Sequence, residues 1–240
     1  GAIEIRRKMG KIANLEKELQ ENQLPSSTQA IAHTRWATHG PPADRNAHPH
    51  CDDRKDLVIV HNGIIENYLE LRQELTDRGH AFSTDTDTEI LANLIGMYMR
   101  QGQDLHAAVR SALTAASGSY GLVAMAASEP DVLVVARMDS PLVIGVGESG
   151  RFAASDMPAL LHLTREFLIL ENGETAILNS DNHQLFDKNG APIERDLYHC
   201  NWSPEEAERG GYPHFMLKEI HEQPAVLART AFDRCNDQKG

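Results

Sequence analysis

The densest chemistry in this sequence lies in His33-Thr34-Arg35-Trp36-Ala37-Thr38-His39-Gly40. A stretch this rich in donors does not suit a core strand. It follows the apolar Ala30-Ile31-Ala32, which predicts a strand end entering a loop, a place where a rigid scaffold presents chemistry. Arg35 offers a planar fork that matches a carboxylate and stays charged at physiological pH, and Thr38 and His39 add donors beside it. Asn62-Gly63 follows the apolar run Leu57-Val58-Ile59-Val60. An Asn amide and a Gly N–H suit an oxyanion, since glycine lets a ligand approach the backbone closely. Asp87 lies in a loop entering a helix, where a carboxylate can hold an ammonium. Each group has a plainer reading: a surface ion pair beside a packed Trp, an Asn-Gly turn, a helix-terminal acid favoured by the dipole. Taken together, a carboxylate clamp, an oxyanion hole and an ammonium clamp describe a site for a free amino acid undergoing acyl transfer.

The elements that must position these groups are legible from periodicity. Ile3 and Ile5 alternate with polar residues like the tail of a strand. Ile12, Leu15 and Leu19 mark an amphipathic helix to about Glu21. Leu57 to Val60 predicts a buried strand ending at His61-Asn62-Gly63, followed by a helix from about Ile64 to Arg78. Thr86-Asp87-Thr88-Glu89 fits a capping box opening a helix that Gly102 ends, and Asp104 caps the next helix. Beyond Gly118 the texture changes to short strands, starting with a hairpin turning at Glu129-Pro130-Asp131. Ser203-Pro204-Glu205-Glu206 predicts a further helix start. Helices grouped together and many short strands predict an α+β class with helices on largely antiparallel sheets, and the strand number suits two sheets better than one.

Composition narrows the function classes. With 240 residues, 41% hydrophobic and 24% charged, the chain can bury a real core. A net charge of -12 disfavours nonspecific binding to nucleic acid or anionic membranes. Cys51, Cys200 and Cys235 are widely spaced and give neither a disulfide framework nor a CxxC knuckle, which suits a reducing cytoplasm. His48, His50 and Cys51 lack the second ligand pair that zinc wants, so they read as a polar loop with backbone-bonded histidines; no metal and no cofactor is expected. A Gly-x-Ser-x-Gly elbow and a Walker-type phosphate loop are both missing from the sequence.

Seven segments also occur in the order seen in one family: His33 to Gly40, Asn46-Ala47-His48-Pro49-His50, His61 to Asn67, Thr86 to Glu89, Gly118 to Gly121, Ser140 to Gly145 and Lys218-Glu219-Ile220-His221-Glu222-Gln223-Pro224. In these the sequence resembles the glutaminase domain of the glutamine–fructose-6-phosphate aminotransferases (isomerizing), or glucosamine-6-phosphate synthases. The resemblance implies an N-terminal-nucleophile hydrolase fold, a four-layer α-β-β-α sandwich, as one domain over 1–240. It implies L-glutamine as substrate and a sugar isomerase domain as partner, with fructose 6-phosphate as ammonia acceptor, in a full-length homo-oligomer. By the same resemblance Arg35, Thr38 and His39 match the group holding the α-carboxylate, Asp87 with the Gly63 backbone the α-amino end, Asn62 and Gly63 the oxyanion hole, and Trp36 the ammonia gate.

The family nucleophile is a cysteine at the mature N-terminus, opening a Cys-Gly-Ile-Val-Gly strand. Its α-amine, titrating near pH ~7.7–8, serves as base. The present sequence starts at Gly1, and none of its cysteines is N-terminal. The expectation is therefore that the first strands and the sugar isomerase domains lie outside it, and that a polypeptide of these residues alone has no glutaminase activity. Two alternatives stay open: a glutamine-binding or regulatory module without catalysis, and a glutaminase domain serving another acceptor, as in amidophosphoribosyltransferase.

Overall fold

The fold is known from a computed structural model that describes residues 2–36, 40–202 and 210–236, the last five by backbone alone. Thr38, His39 and the expected helix start at Ser203 to Glu206 lie outside the described residues. The chain divides into two units, Gly1–His199 and Cys200–Gly240. Among its described residues the second carries one helix, Phe215–Asn236, with Pro224 inside it. No described helix is long and apolar enough to cross a membrane.

The first unit holds helices α1 (Ile12–Glu21), α2 (Tyr68–Asp77), α3 (Asp87–Arg100) and α4 (Leu105–Ala115). Its strands are β1 (His50–Cys51), β2 (Leu57–Ile65), β3 (Gly118–Ala126), β4 (Leu133–Met138), β5 (Val143–Gly147), β6 (Gly150–Ala154), β7 (Glu166–Ile169), β8 (Thr175–Leu178), β9 (His183–Phe186), β10 (Pro192–Ile193) and β11 (Tyr198–His199). They form a seven-stranded sheet, ordered β1-β2-β3-β4-β8-β9-β10, and a four-stranded one, ordered β11-β7-β5-β6. The ladders are antiparallel. This is the α+β class with two sheets that the residue pattern predicts.

Alternation along β2 explains the layering. Leu57, Ile59 and Ile65 join the core beneath the helices, with Leu91, Leu94, Ile95, Leu105 and Val109. Val60 faces the other way and joins Ile144, Leu168 and Leu178 in a second core to which both sheets contribute. Helices, large sheet and small sheet are thus three successive layers, in the order expected of the sandwich. A sheet with both faces buried explains why Leu57 to Val60 reads as a continuous apolar run.

Two expected strands do not form. Residues 3–5 and 30–32 are irregular, although Ile31 still packs on the second core. Alternation prepares a face, but a strand also needs a partner for its backbone. In the opposite sense β2 runs past its expected end at His61-Asn62-Gly63 and continues to Ile65, so the following helix starts at Tyr68 rather than Ile64. The cause is an unbroken register with β3, from Leu57↔Ala126 to Ile65↔Gly118.

The β1–β2 connection is fastened to the far end of α3. Asp52, 3% exposed, accepts from the Asp56 and Leu57 backbone N–H groups at 2.9 and 3.1 Å, and from Arg100 at 2.8 Å. A Cβ on Gly96 of α3 would stand 2.7 Å from an Asp52 oxygen, so glycine makes room for this carboxylate. Asp52→Ala leaves two N–H groups and a guanidinium short of an acceptor, and is expected to cost roughly 2–4 kcal/mol in a urea titration. A loss below half a unit would show that the clamp is dispensable.

Candidate active site

The capping box forms only by half, and that decides the shape of the site. Thr86 accepts from the Glu89 N–H at 3.3 Å, as an N-cap should. The Glu89 carboxylate does not return to Thr86. It accepts from the backbone and hydroxyl of Ser83 at 2.9 and 2.7 Å, and from both of the same groups of Thr84 at 2.8 Å. The polar approach to α3 is therefore a built loop held on one buried carboxylate. Asp87, the first residue of α3, turns toward the sheet and accepts from the Ile65 N–H at 2.9 Å. The start of the helix is thereby tied to the last residue of β2.

Two glycines allow the sheet to close at that end. A Cβ on Gly63, at φ 140°, would lie 2.1 Å from the Ser119 carbonyl oxygen. A Cβ on Gly118, at φ 130°, would lie equally close to the Ile64 carbonyl. Asn62-Gly63 is therefore no turn: it lies inside β2, and Gly63 is required by the approach of β3.

Those of the expected site residues that are described meet at one place. A cavity of about 290 Å³ is lined by Arg35, Trp36, Asn62, Gly63 and Asp87, together with His33, His48, His61, Ile64, Thr86, Thr88 and Ser119. Its volume is at the small end for ligand sites, which suits an amino acid better than a dinucleotide. Arg35 bends its own loop back, donating to Gly40 O at 2.9 Å and Pro41 O at 3.4 Å. Burial lowers its pKa, and the nearby Asp87 charge works against that shift. The cavity thus has a cation and an anion within electrostatic reach of each other. Trp36 is 89% exposed at its edge.

The histidines were expected to meet backbone in a polar loop. Besides a bond from His50 to the Asn46 backbone, they pack ring against ring and meet threonines. His33 and His48 have ring centroids 4.2 Å apart, and His48 meets His50 edge-on at 4.8 Å. His48 Nε2 lies 3.1 Å from the Thr88 hydroxyl, and His50 Nε2 lies 3.4 Å from that of Thr86. Cys51 stands in β1 rather than in a loop, burial pushes its thiol pKa up, and it does not line the site cavity. Among the described residues no group of three His, Cys, Asp or Glu could hold a metal ion. His33, His48, His61, Ile64, Thr86, Thr88 and Ser119 line the cavity without being expected there from the sequence. The available signal was β2 alternation, which puts His61 on the helix-facing side with Ile59.

A family model for the glutamine amidotransferase domain matches residues 19–184. The chain belongs to the glutamine amidotransferase family. Similar curated proteins are named glutamine–fructose-6-phosphate aminotransferase [isomerizing]. That of Clostridium tetani is 47% identical over 97% of this chain and 38% of its own length. That of Methanothermobacter thermautotrophicus is 47% identical over 95% of this chain and 38% of its own. The chain thus spans about 38% of the length of these relatives. Among solved structures, the glutamine phosphoribosylpyrophosphate amidotransferase of B. subtilis matches with a TM-score of 0.54 at 28% identity, over 65% of this chain and 34% of that one. The fold of this amidotransferase domain is accordingly of the N-terminal-nucleophile type.

Two outcomes follow for this site. Gly63→Ala should destabilise the domain by at least about 2 kcal/mol by chemical denaturation, since β3 backbone must move to admit the methyl. An unchanged midpoint would deny the close approach. The second concerns pH. Burial first, then His61 and Arg35, pushes the His33 pKa down to about 4. Burial first, then Arg7, pushes His50 down to about 3, and burial also pushes His48 down. The unfolded chain takes up protons near pH 6.5 that the folded cluster refuses, so the contribution is complete above that pH and is lost as pH falls toward the folded values. Between pH 7 and 5 His33 alone should cost roughly 2 kcal/mol of stability, and His33→Gln should flatten the profile. A flat profile for the unmodified protein would contradict the buried neutral cluster.

Proposed function

We propose that this cavity binds L-glutamine and that the domain serves a glutamine–fructose-6-phosphate aminotransferase as its glutaminase, releasing ammonia to a sugar isomerase partner for glucosamine 6-phosphate synthesis. The observation that carries the reading is the meeting of Arg35, Asp87 and Asn62-Gly63 on one amino-acid-sized cavity from three separate parts of the chain. The 42–47% identity to proteins of that name supports the acceptor over the phosphoribosyl alternative, whose solved relative stands at 28%.

On this reading Arg35 pairs with the α-carboxylate and Asp87 with the α-ammonium. Thr38 and His39 join the carboxylate group, as the family resemblance implies. Opposite charges at the two ends fix which way the amino acid lies, so the side-chain amide extends toward Asn62 and Gly63. As its carbon becomes tetrahedral, the carbonyl oxygen gains negative charge, and donors waiting there stabilise that state more than the ground state. Trp36 stands at the cavity edge as the ammonia gate. Neither Cys51 nor Cys200 lines the cavity, so neither is proposed as the nucleophile. Soluble cytoplasmic metabolism is the setting this function implies.

Asp87→Asn keeps an acceptor for the Ile65 N–H while removing the charge. Calorimetric titration with L-glutamine should show one site per chain in the unmodified protein and an affinity about 30-fold or more weaker in this variant, the scale for an unpaired buried charge. Equal affinity in both would remove Asp87 from the site, and no binding by the unmodified protein would remove the function.

A further inference from the structure

Thr88 follows the ammonium-binding candidate and points between two imidazoles. Its hydroxyl lies 3.1 Å from His48 Nε2 and 3.2 Å from His61 Nδ1. His61 Nε2 in turn lies 3.3 Å from the Ser119 carbonyl oxygen. Three elements meet on this chain of contacts: the first turn of α3, strand β2, and strand β3.

The directions of these hydrogen bonds can be deduced. A carbonyl only accepts, so His61 Nε2 carries the proton that it donates to Ser119. In neutral His61 the other nitrogen is then an acceptor, and the Thr88 hydroxyl must donate to it. A hydroxyl has one proton. With that proton spent on His61, the bond to His48 runs the other way, from His48 Nε2–H to Thr88 Oγ1. His48 Nδ1 is left as a bare lone pair, in agreement with its having no hydrogen-bond partner while fully covered. Reversing the chain would need a doubly protonated His61 beside Thr88 and an unpaired buried N–H at His48. Each costs more than the arrangement above.

We propose that Thr88 is a positioning residue for the glutamine site, a one-way hydrogen-bond relay that fixes His61 and His48 as Nε2–H tautomers and locks the start of α3, with Asp87, onto the strand carrying Asn62 and Gly63. This role rests on the function proposed above. Asp87 and the oxyanion candidates lie on different elements, and a ligand that bridges them needs their separation held. The Asp87–Ile65 bond ties the end of β2 to α3. The relay adds a second tie four residues earlier on the same strand, and two ties remove the rotation that one allows.

The test uses histidine-labelled protein and ¹⁵N NMR, with glutamine titrations of Thr88→Val and Thr88→Ser. The unmodified protein should show both His48 and His61 protonated at Nε2 alone. The valine variant keeps the shape, loses the hydroxyl, and should bind glutamine about 10-fold more weakly, while serine should recover most of that loss, to within about 3-fold. A His48 protonated at Nδ1, a doubly protonated His61 at neutral pH, unchanged affinity in the valine variant, or failure of serine to rescue would each overturn the proposal. Should the valine variant not fold, the tautomers of the unmodified protein and the serine titration still decide. Absence of glutamine binding by the unmodified protein would remove the function proposed above, and the tautomer spectrum would then still accept or reject the relay itself.

Discussion

Everything at the candidate site depends on how the first turn of α3 is fastened to the end of β2. A helix N-terminus exposes N–H groups and a positive dipole end, so acids are at home there. In this domain the acids do more than cap. Glu89 takes four donors from Ser83 and Thr84 and shapes the approach loop, while Asp87 reaches across to the Ile65 N–H. The same carboxylate that suits a substrate ammonium is thus held in place by a backbone bond of the neighbouring strand. Ties of this kind hold the two elements before anything binds, and preorganisation spares the ordering cost of association.

The sheet supplies the other half of the constraint. Gly63 and Gly118 face each other's strands so closely that neither position admits a side chain. That approach keeps β2 paired with β3 through Ile65 and brings Ser119 to the cavity wall. Strand alternation then sorts the groups. His61 points toward α3 with Ile59, while Asn62 stands on the opposite face with Val60. At the sheet's interior these faces belong to separate cores; at its end both reach the same cavity. The buried imidazole cluster behind it contributes polar bonding without charge, since burial and neighbouring cations keep the histidines neutral.

Much of this was legible from residue types and spacing. Helices α1, α3 and α4, the N-caps Thr86 and Asp104, and the hairpin at Glu129 to Asp131 follow from local periodicity and capping chemistry, which are short-range properties. The α+β class and the two sheets follow from counting elements. Arg35, Asn62, Gly63 and Asp87 have complementary chemistry, and they converge on one cavity. What was illegible is long-range. The extension of β2 through Gly63 depends on Gly118, 55 residues away in β3. Residues 3–5 carry a strand's alternation, and 30–32 an apolar run, without the pairing of a strand. Thr88 reads as a cap neighbour, His48 as a loop histidine and His61 as a strand end, because the contacts that unite them span 27 and 40 residues.

The central claim is an orientation: the carboxylate end of glutamine at Arg35, the ammonium end at Asp87, the amide toward Asn62 and Gly63. A crystal structure with L-glutamine bound reads it directly. The account predicts charge-assisted hydrogen-bond distances of about 2.7–2.9 Å at both charged ends, with the side-chain amide directed to β2. Glutamine lying in the reverse sense, or bound outside this cavity, would contradict it.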